Sequence, residues 1–380
     1  MATSQFDSIV RIGEILRWFV LIIGCVMAAR CGFVRSAKKY KVFTWTDRAI
    51  VLFLSLFLLS EMWTIEPGVT FQRAISMLLL YVCSFWTLWE YADLFSEKVL
   101  IQRLLYLFGA VFLINLLASV ALPSVWLAGR LRGVFNNPNN IGLIMGLVIP
   151  LAISQWLHTR KNLFLAITII FFSNLIACGS RTAMLGITIA TAVILTSLLA
   201  KRSSQALFII LLAAIGIAAF TQTNFFVEHI VRADTLTTAS NRAYFWELAK
   251  AYISQRPDFG HGFGTDGEIH DYYGTVLSDL KLRGYGVMSS YYGLAIQIGW
   301  PFTYCFFGLI WGFVAVCCIK HWRDYTLMTF VGIVASGLTM CIYEPAITSA
   351  GNVFSFLFWM ILMLAVRRRY YQRKGLSAFI

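Results

Sequence analysis

Apolar residues along this chain come in long runs rather than at alternating positions. Eleven such runs, at 18–29, 49–60, 75–89, 104–120, 141–157, 163–177, 183–200, 206–220, 301–319, 325–342 and 352–366, are separated by polar or basic stretches. A helix that crosses a bilayer needs about 20 predominantly apolar residues. The pattern therefore predicts an all-α integral membrane protein of about eleven transmembrane helices. The chain reads as one polytopic membrane domain over 1–380. Only one long interruption occurs, and it predicts a large outer loop at 222–288, inserted between spans 8 and 9. Composition agrees: 59% of residues are hydrophobic and 13% charged, against about 25% charged in a soluble domain. The first run is followed by a basic loop and no small-residue cleavage site, so it reads as a retained helix.

The formal net charge of +13 raises the possibility of nucleic-acid binding. Its distribution argues for a membrane topology instead, with no nucleic-acid partner. Cytoplasmic loops are enriched in Lys and Arg. With eleven spans, an outside N-terminus and a cytoplasmic C-terminus, the inside segments hold 19 of the 31 basic residues but only 5 of the 18 acids. The eight cysteines fall in or beside apolar runs, and none lies in the large outer loop. Neither a disulfide framework nor a Cys/His metal site is expected.

Three outer segments interrupt the spans with residues capable of chemistry. The first, at 129–142, reads GRLRGVFNNPNNIG. Pro138 in an Asn cluster predicts a helix start with Asn137 as N-cap, and an outward helix N-terminus favours an anion. Gly142 and Gly146 form a GxxxG pair better suited to helix packing than to catalysis. The second is the turn CGSRT at 178–182. The third is the long loop, where 241–253 predicts an amphipathic helix with Tyr244, Leu248, Ala251 and Tyr252 on one face. Such a helix suits the membrane surface. The GHGFG sequence that follows at 260–264 comes after no strand, so it reads as a structural turn rather than a nucleotide loop.

Arg130, Arg132, Arg181 and Arg242 sit at predicted outer boundaries, where the positive-inside tendency disfavours them. Each could snorkel or pair with an acid. As a set they form the kind of cluster that binds phosphate oxygens, because guanidinium is always charged and binds in a bidentate fork. Glu247, Asp258, Asp266 and His261 are candidate general bases. His261 and His270, with Asp266, Glu268 and Asp271 among them, lack the fixed spacing of a metal site, and no cofactor is expected.

The ordered segments GRLRGVFNNPNNIG, SRTAMLG, NRAYFWELAKAYISQRPDFGHGFG and SSYYGLAIQIGWPF resemble the O-antigen ligase and Wzy-type polymerase superfamily over 129–302. The outer turn WTIEPGVTFQRA at 63–74 is similar to that family's first outer turn. The resemblance implies a metal-independent GT-C-type glycosyltransferase in the bacterial inner membrane, working at the periplasmic face. It implies an undecaprenyl-pyrophosphate-linked glycan as donor, a glycan or lipid as acceptor, and membrane lipids and a chain-length regulator as candidate partners. Arg181 and Arg242 match the family's arginines, with Arg130 or Arg132 as a third. Asn139, Ser289 and Tyr291 join them as candidate substrate contacts, and Glu247 as a catalytic candidate. One position departs: the family's ligases carry histidine eleven residues before the glycine that opens the next span. Here that position is Met288, which can neither accept nor donate a proton. This favours a polymerase over a ligase. A transporter is the alternative of another class, but its usual signs, charges within spans and internal repeats, are weak here.

Overall fold

The computed structural model describes residues 7–34, 42–135, 137–201, 242–267 and 287–375. The described residues form thirteen α-helices and one short hairpin. The helices are α1 (Asp7–Val34), α2 (Trp45–Leu59), α3 (Pro67–Val82), α4 (Leu88–Phe95), α5 (Glu97–Ala121), α6 (Pro138–Thr159), α7 (Asn162–Cys178) and α8 (Arg181–Lys201). After them come α9 (Arg242–Ile253), α10 (Ser290–Ile298), α11 (Trp300–Lys320), α12 (Tyr325–Met340) and α13 (Val353–Arg373). A π-turn at Cys83–Thr87 joins α3 to α4 without a break. Among the described residues, five helices are long and apolar enough to cross a membrane: Pro67–Phe95, Glu97–Ala121, Pro138–Thr159, Arg181–Leu199 and Trp300–Lys320. Asn162–Cys178 and Tyr325–Met340 are apolar but shorter. The apolar run at 206–220 and most of the 222–288 loop lie outside the described residues.

Local chemistry sets the helix ends. Thr44 and Asp47 close a reciprocal capping box at the start of α2. Asn137 caps α6, accepting from the Asn139 amide, and Pro138 occupies its first turn as the sequence predicts. Ser289 caps α10, Asp324 caps α12 and Asn352 caps α13. The left-handed Gly179 ends α7.

Helix α12 is central, packing along α8, α6, α11 and α13. Small residues permit this closeness. A Cβ at Gly142 would collide with the Ser180 side chain, and one at Gly146 or Gly186 with Met340. The GxxxG pair is thus a packing device, as expected. A hairpin departs from the purely helical expectation. Trp126–Leu127 and Arg130–Leu131 pair antiparallel across a turn at Ala128 and Gly129, both at positive φ (48° and 71°). Two left-handed residues match the right-handed strand twist in a two-residue loop.

The GHGFG segment is a structural wedge, as predicted. Gly260, Gly262 and Gly264 all have positive φ, and a Cβ at each would strike Gln297 backbone, Thr64 or Arg73. Phe263 stacks on Phe57 with centroids 4.1 Å apart. Arg73 pairs with Asp266 at 3.1 Å, and Trp63 Nε1 donates to Phe259 O at 3.1 Å. The wedge therefore ties the turn at 63–74 to the start of α11. The burial of α9 corrects the sequence expectation. Ala249, Tyr252 and Ile253 pack against Val287, Ala295 and Ile296 with Leu248 beside them, Phe245 is also buried, and Ala251 is exposed. Of the expected face, Leu248 and Tyr252 do pack on this cluster, whereas Ala251 is exposed, so the buried stripe is rotated toward Ala249 and Ile253.

Candidate active site

Five segments meet at one end of the bundle: the hairpin, the N-terminus of α6, the α7–α8 turn, α9 and the loop after α12. Each brings a polar group because of its local structure. The hairpin turn aims Arg130 inward, where Nε donates to Cys178 O at 2.7 Å and Nη2 to Asn139 Oδ1 at 2.7 Å. Asn139 sits in the first turn of α6 and passes the contact on, its Nδ2 donating to Glu344 Oε1 at 2.9 Å. Arg242 opens α9, and its Nη2 donates to the same Glu344 oxygen. Both members of this ion pair are largely buried, each 12% exposed. Arg181 follows Ser180 at the start of α8, close behind the carbonyls that hold Arg130.

These charges feel one another. Burial is the main influence lowering the Arg130 pKa; Arg181 and Arg242 act in the same direction and Glu344 against it. Guanidinium nonetheless remains charged. Burial pushes the Glu344 carboxyl above the usual carboxylate range, although Arg242, Asn139 and Arg130 all pull it back. The site is thus a cationic cluster in which Arg242 and Arg130 act on one carboxylate and Arg181 stands close enough to act on Arg130. Two helix N-termini, of α6 and α8, add their positive ends. Arg242 Nε is buried and has no hydrogen-bond partner among the described residues. An orphaned guanidinium donor beside two other arginines is suited to an anionic ligand.

Aromatic rings wall one side. Arg242 lies over the Tyr343 ring at 5.8 Å, and Trp246 leans on Tyr343 and Tyr292 at 5.9 Å each. The loop carrying Glu344 is pinned by Ser290: its Oγ donates to Glu344 O at 2.7 Å and accepts from Ala346 N at 2.9 Å.

Of the residues singled out in the sequence, Arg130, Asn139, Arg181 and Arg242 come together here. Arg132 turns back to its own segment, with Nη2 donating to Ser124 O at 3.1 Å. Glu247 projects outward, 71% exposed and paired with Lys250. Ser289 is spent as the α10 cap, accepting from Tyr292 N. Tyr291 is packed on Phe307 with centroids 3.7 Å apart and hydrogen-bonds Trp311 and Leu338. His261 is buried, stacked on Tyr252 and held by Tyr252 O at 3.2 Å. Met288, at the position of the family histidine, has a left-handed backbone (φ 52°), and its carbonyl accepts from Trp246 Nε1. Sequence reasoning missed Glu344. Its signal was an acid next to a proline, at the outer end of an apolar run that otherwise lacks charge.

Residues 163–307 match the family model described as O-Antigen ligase. A protein of Pseudomonas aeruginosa named O-antigen ligase is 26% identical over 276 residues, covering 69% of this chain and 64% of that protein. The match thus spans slightly less than two thirds of that relative's length. The resemblance suggested by the motif order is therefore supported over residues 163–307, which are similar to the O-antigen ligase family.

Proposed function

We propose that this chain is a membrane glycosyltransferase that lengthens a glycan carried on undecaprenyl pyrophosphate at the periplasmic face. The observation that carries the reading is the buried Arg242, with one guanidinium nitrogen on Glu344 and another unsatisfied, beside Arg130 and Arg181. In this scheme Arg130, Arg181 and Arg242 take the pyrophosphate oxygens. Glu344, its pKa already raised by burial, accepts the proton of an acceptor hydroxyl. That oxygen attacks the anomeric carbon as the bond from that carbon to the phosphate oxygen breaks. The electron pair leaves with undecaprenyl pyrophosphate, whose developing charge the arginines stabilise. No step requires a metal, so activity in EDTA is expected.

The test is purified protein with a defined undecaprenyl-pyrophosphate oligosaccharide and EDTA. A ladder of longer lipid-linked glycans, lost in Arg181→Ala and Arg242→Ala, is the expected result. An unchanged ladder in both variants overturns the reading. A second reading, transfer of the finished glycan to a lipid acceptor, is favoured by the ligase names of both matches. It predicts no ladder with donor alone and transfer once a lipid acceptor is supplied. Met288 in place of the family histidine supports the polymerase side.

A further inference from the structure

The helices that build the candidate active site carry a second polar region at their other ends. Helix α6 runs away from the site toward His158, and α13 runs away from it toward Arg373. Helix α12 starts from that far end at Tyr325. Between these ends and the start of α5 lies a cavity of about 480 Å³, lined by Lys98, Gln155, His158, Tyr325 and Arg368 among others. A neighbouring one of about 620 Å³ includes Lys320, Arg323, Asp324 and Arg373. The two share Arg368 and Gln372. Both volumes fall in the range of ligand sites, about 300–1,000 Å³.

Its charges are arranged in two tiers. The deeper tier is neutralised. Arg367, wholly buried, pairs with Asp93 at 2.6 Å and Glu97 at 3.3 Å. Arg368 bridges Glu97 at 2.6 Å and Asp324 at 2.9 Å. With the acids consumed there, the outer tier is an excess of cations. Lys98, Lys320, Arg323 and Arg373 are exposed and have no carboxylate partner among the described residues. Burial lowers the His321 pKa, with Arg369 and Arg373 adding to it, as a positive local field requires. Gln155 is a second, independent sign. It lines the cavity, is only 7% exposed, and its buried Nε2 has no hydrogen-bond partner among the described residues. An unmade buried donor bond costs about 1–3 kcal/mol. A ligand acceptor would satisfy it.

We propose that these two adjoining cavities, joined at Arg368 and Gln372, together bind the phosphodiester headgroup of an anionic phospholipid, with Lys98 and Gln155 on one side and Arg323 and Arg373 on the other. A lipid fits better than a soluble phosphate because of the surroundings. Leu94, Phe95, Ile319 and Trp322, within a few residues of the lining Glu97, Lys320 and Arg323, are exposed apolar side chains, and Trp322 is of the type enriched at headgroup level. Basic pockets between membrane helices are suited to such headgroups. Nothing in the proposed transfer chemistry uses these residues.

The test is thermal unfolding of delipidated protein in detergent, with phosphatidylglycerol, phosphatidylcholine or inorganic phosphate added. Phosphatidylglycerol should raise the midpoint, because a ligand of the folded state stabilises it. Neither of the others should match it. Each cation near a membrane surface contributes on the order of five-fold in binding, so Lys98→Gln/Arg323→Gln/Arg373→Gln should weaken the lipid on the order of a hundred-fold. Native mass spectrometry of the wild type supplies a readout that needs no variant, and retained phosphatidylglycerol in preference to phosphatidylcholine is expected. Equal shifts with both lipids, undiminished binding in the triple variant, or equal retention of the two lipids overturns the proposal. A shift reproduced by inorganic phosphate alone overturns the lipid as occupant.

Discussion

Removing either member of the Arg242–Glu344 pair should injure the protein more than any other single change in the candidate site, and Glu344 is the sharper test. In Glu344→Ala, Arg242 keeps its buried charge and loses its only described carboxylate, while Asn139 Nδ2 loses its acceptor. Breaking a buried pair from one side costs about 3–5 kcal/mol, because the remaining charge stays desolvated. The half-buried Asn139 amide, losing its acceptor, adds at most about 1 kcal/mol. Arg242→Ala should cost a comparable amount, since it leaves Glu344 buried. The double variant removes both charges and should recover part of the loss, giving a coupling on the order of 1–3 kcal/mol. The assay is a double-mutant cycle by thermal unfolding in detergent, with Glu344→Gln added. Glutamine keeps the Asn139 contact but not the charge, so it should fall between alanine and wild type in stability. It should also lose transfer activity, since an amide is no base. Two single variants each within about 0.5 kcal/mol of wild type, and additive, would refute the buried-pair argument. Full activity in Glu344→Gln would refute its role as base.

Three further outcomes follow from the same geometry. Arg181→Ala should lower the transfer rate about 10²–10³-fold, the scale of a lost charge-stabilising donor; a lipid-linked glycan assay reads it. Substituting leucine for Gly142 should push α6 off Ser180 and cost about 1–3 kcal/mol as overpacking, whereas Gly68→Ala, with nothing within 4 Å of the new Cβ, should be silent in the same melt. Burial lowers the His261 pKa from its ordinary 6.5, so the unfolded chain binds the proton more readily. Stability should therefore be full above about pH 6.5 and fall as the pH drops below it, with a flatter profile in His261→Gln; parallel profiles would refute this.

The legible parts of the molecule are those whose cause lies within a few residues. Asn137–Pro138 announces the start of α6 because cap chemistry acts over one helical turn. The glycines of GHGFG mark a turn because only that residue type tolerates three left-handed positions so close together. The apolar runs on the described residues fall on helices because a continuous apolar stretch leaves the backbone no other way to satisfy itself in lipid. The α9 stripe was legible as amphipathic, but its centre was not: Leu248 and Tyr252 pack inward as expected, while Ala251 is exposed and Ala249 takes its place.

The sequence by itself determined that this is a membrane-type helical bundle with arginines at the ends of its spans, and the order of its motifs pointed to the superfamily. Only the tertiary structure decided how those groups pair. Arg242 meets Glu344 across a separation of 102 residues, and Asn139 meets it across 205. The structure brought Arg130 rather than Arg132 to the cluster, turned Glu247 to the outside, and set Glu344 between Arg242 and Asn139. Local periodicity and caps are properties of neighbouring residues. Which charge meets which is fixed by the packing of distant helices, and that packing depends on close fits such as Gly142 against Ser180, which charge patterning does not reveal.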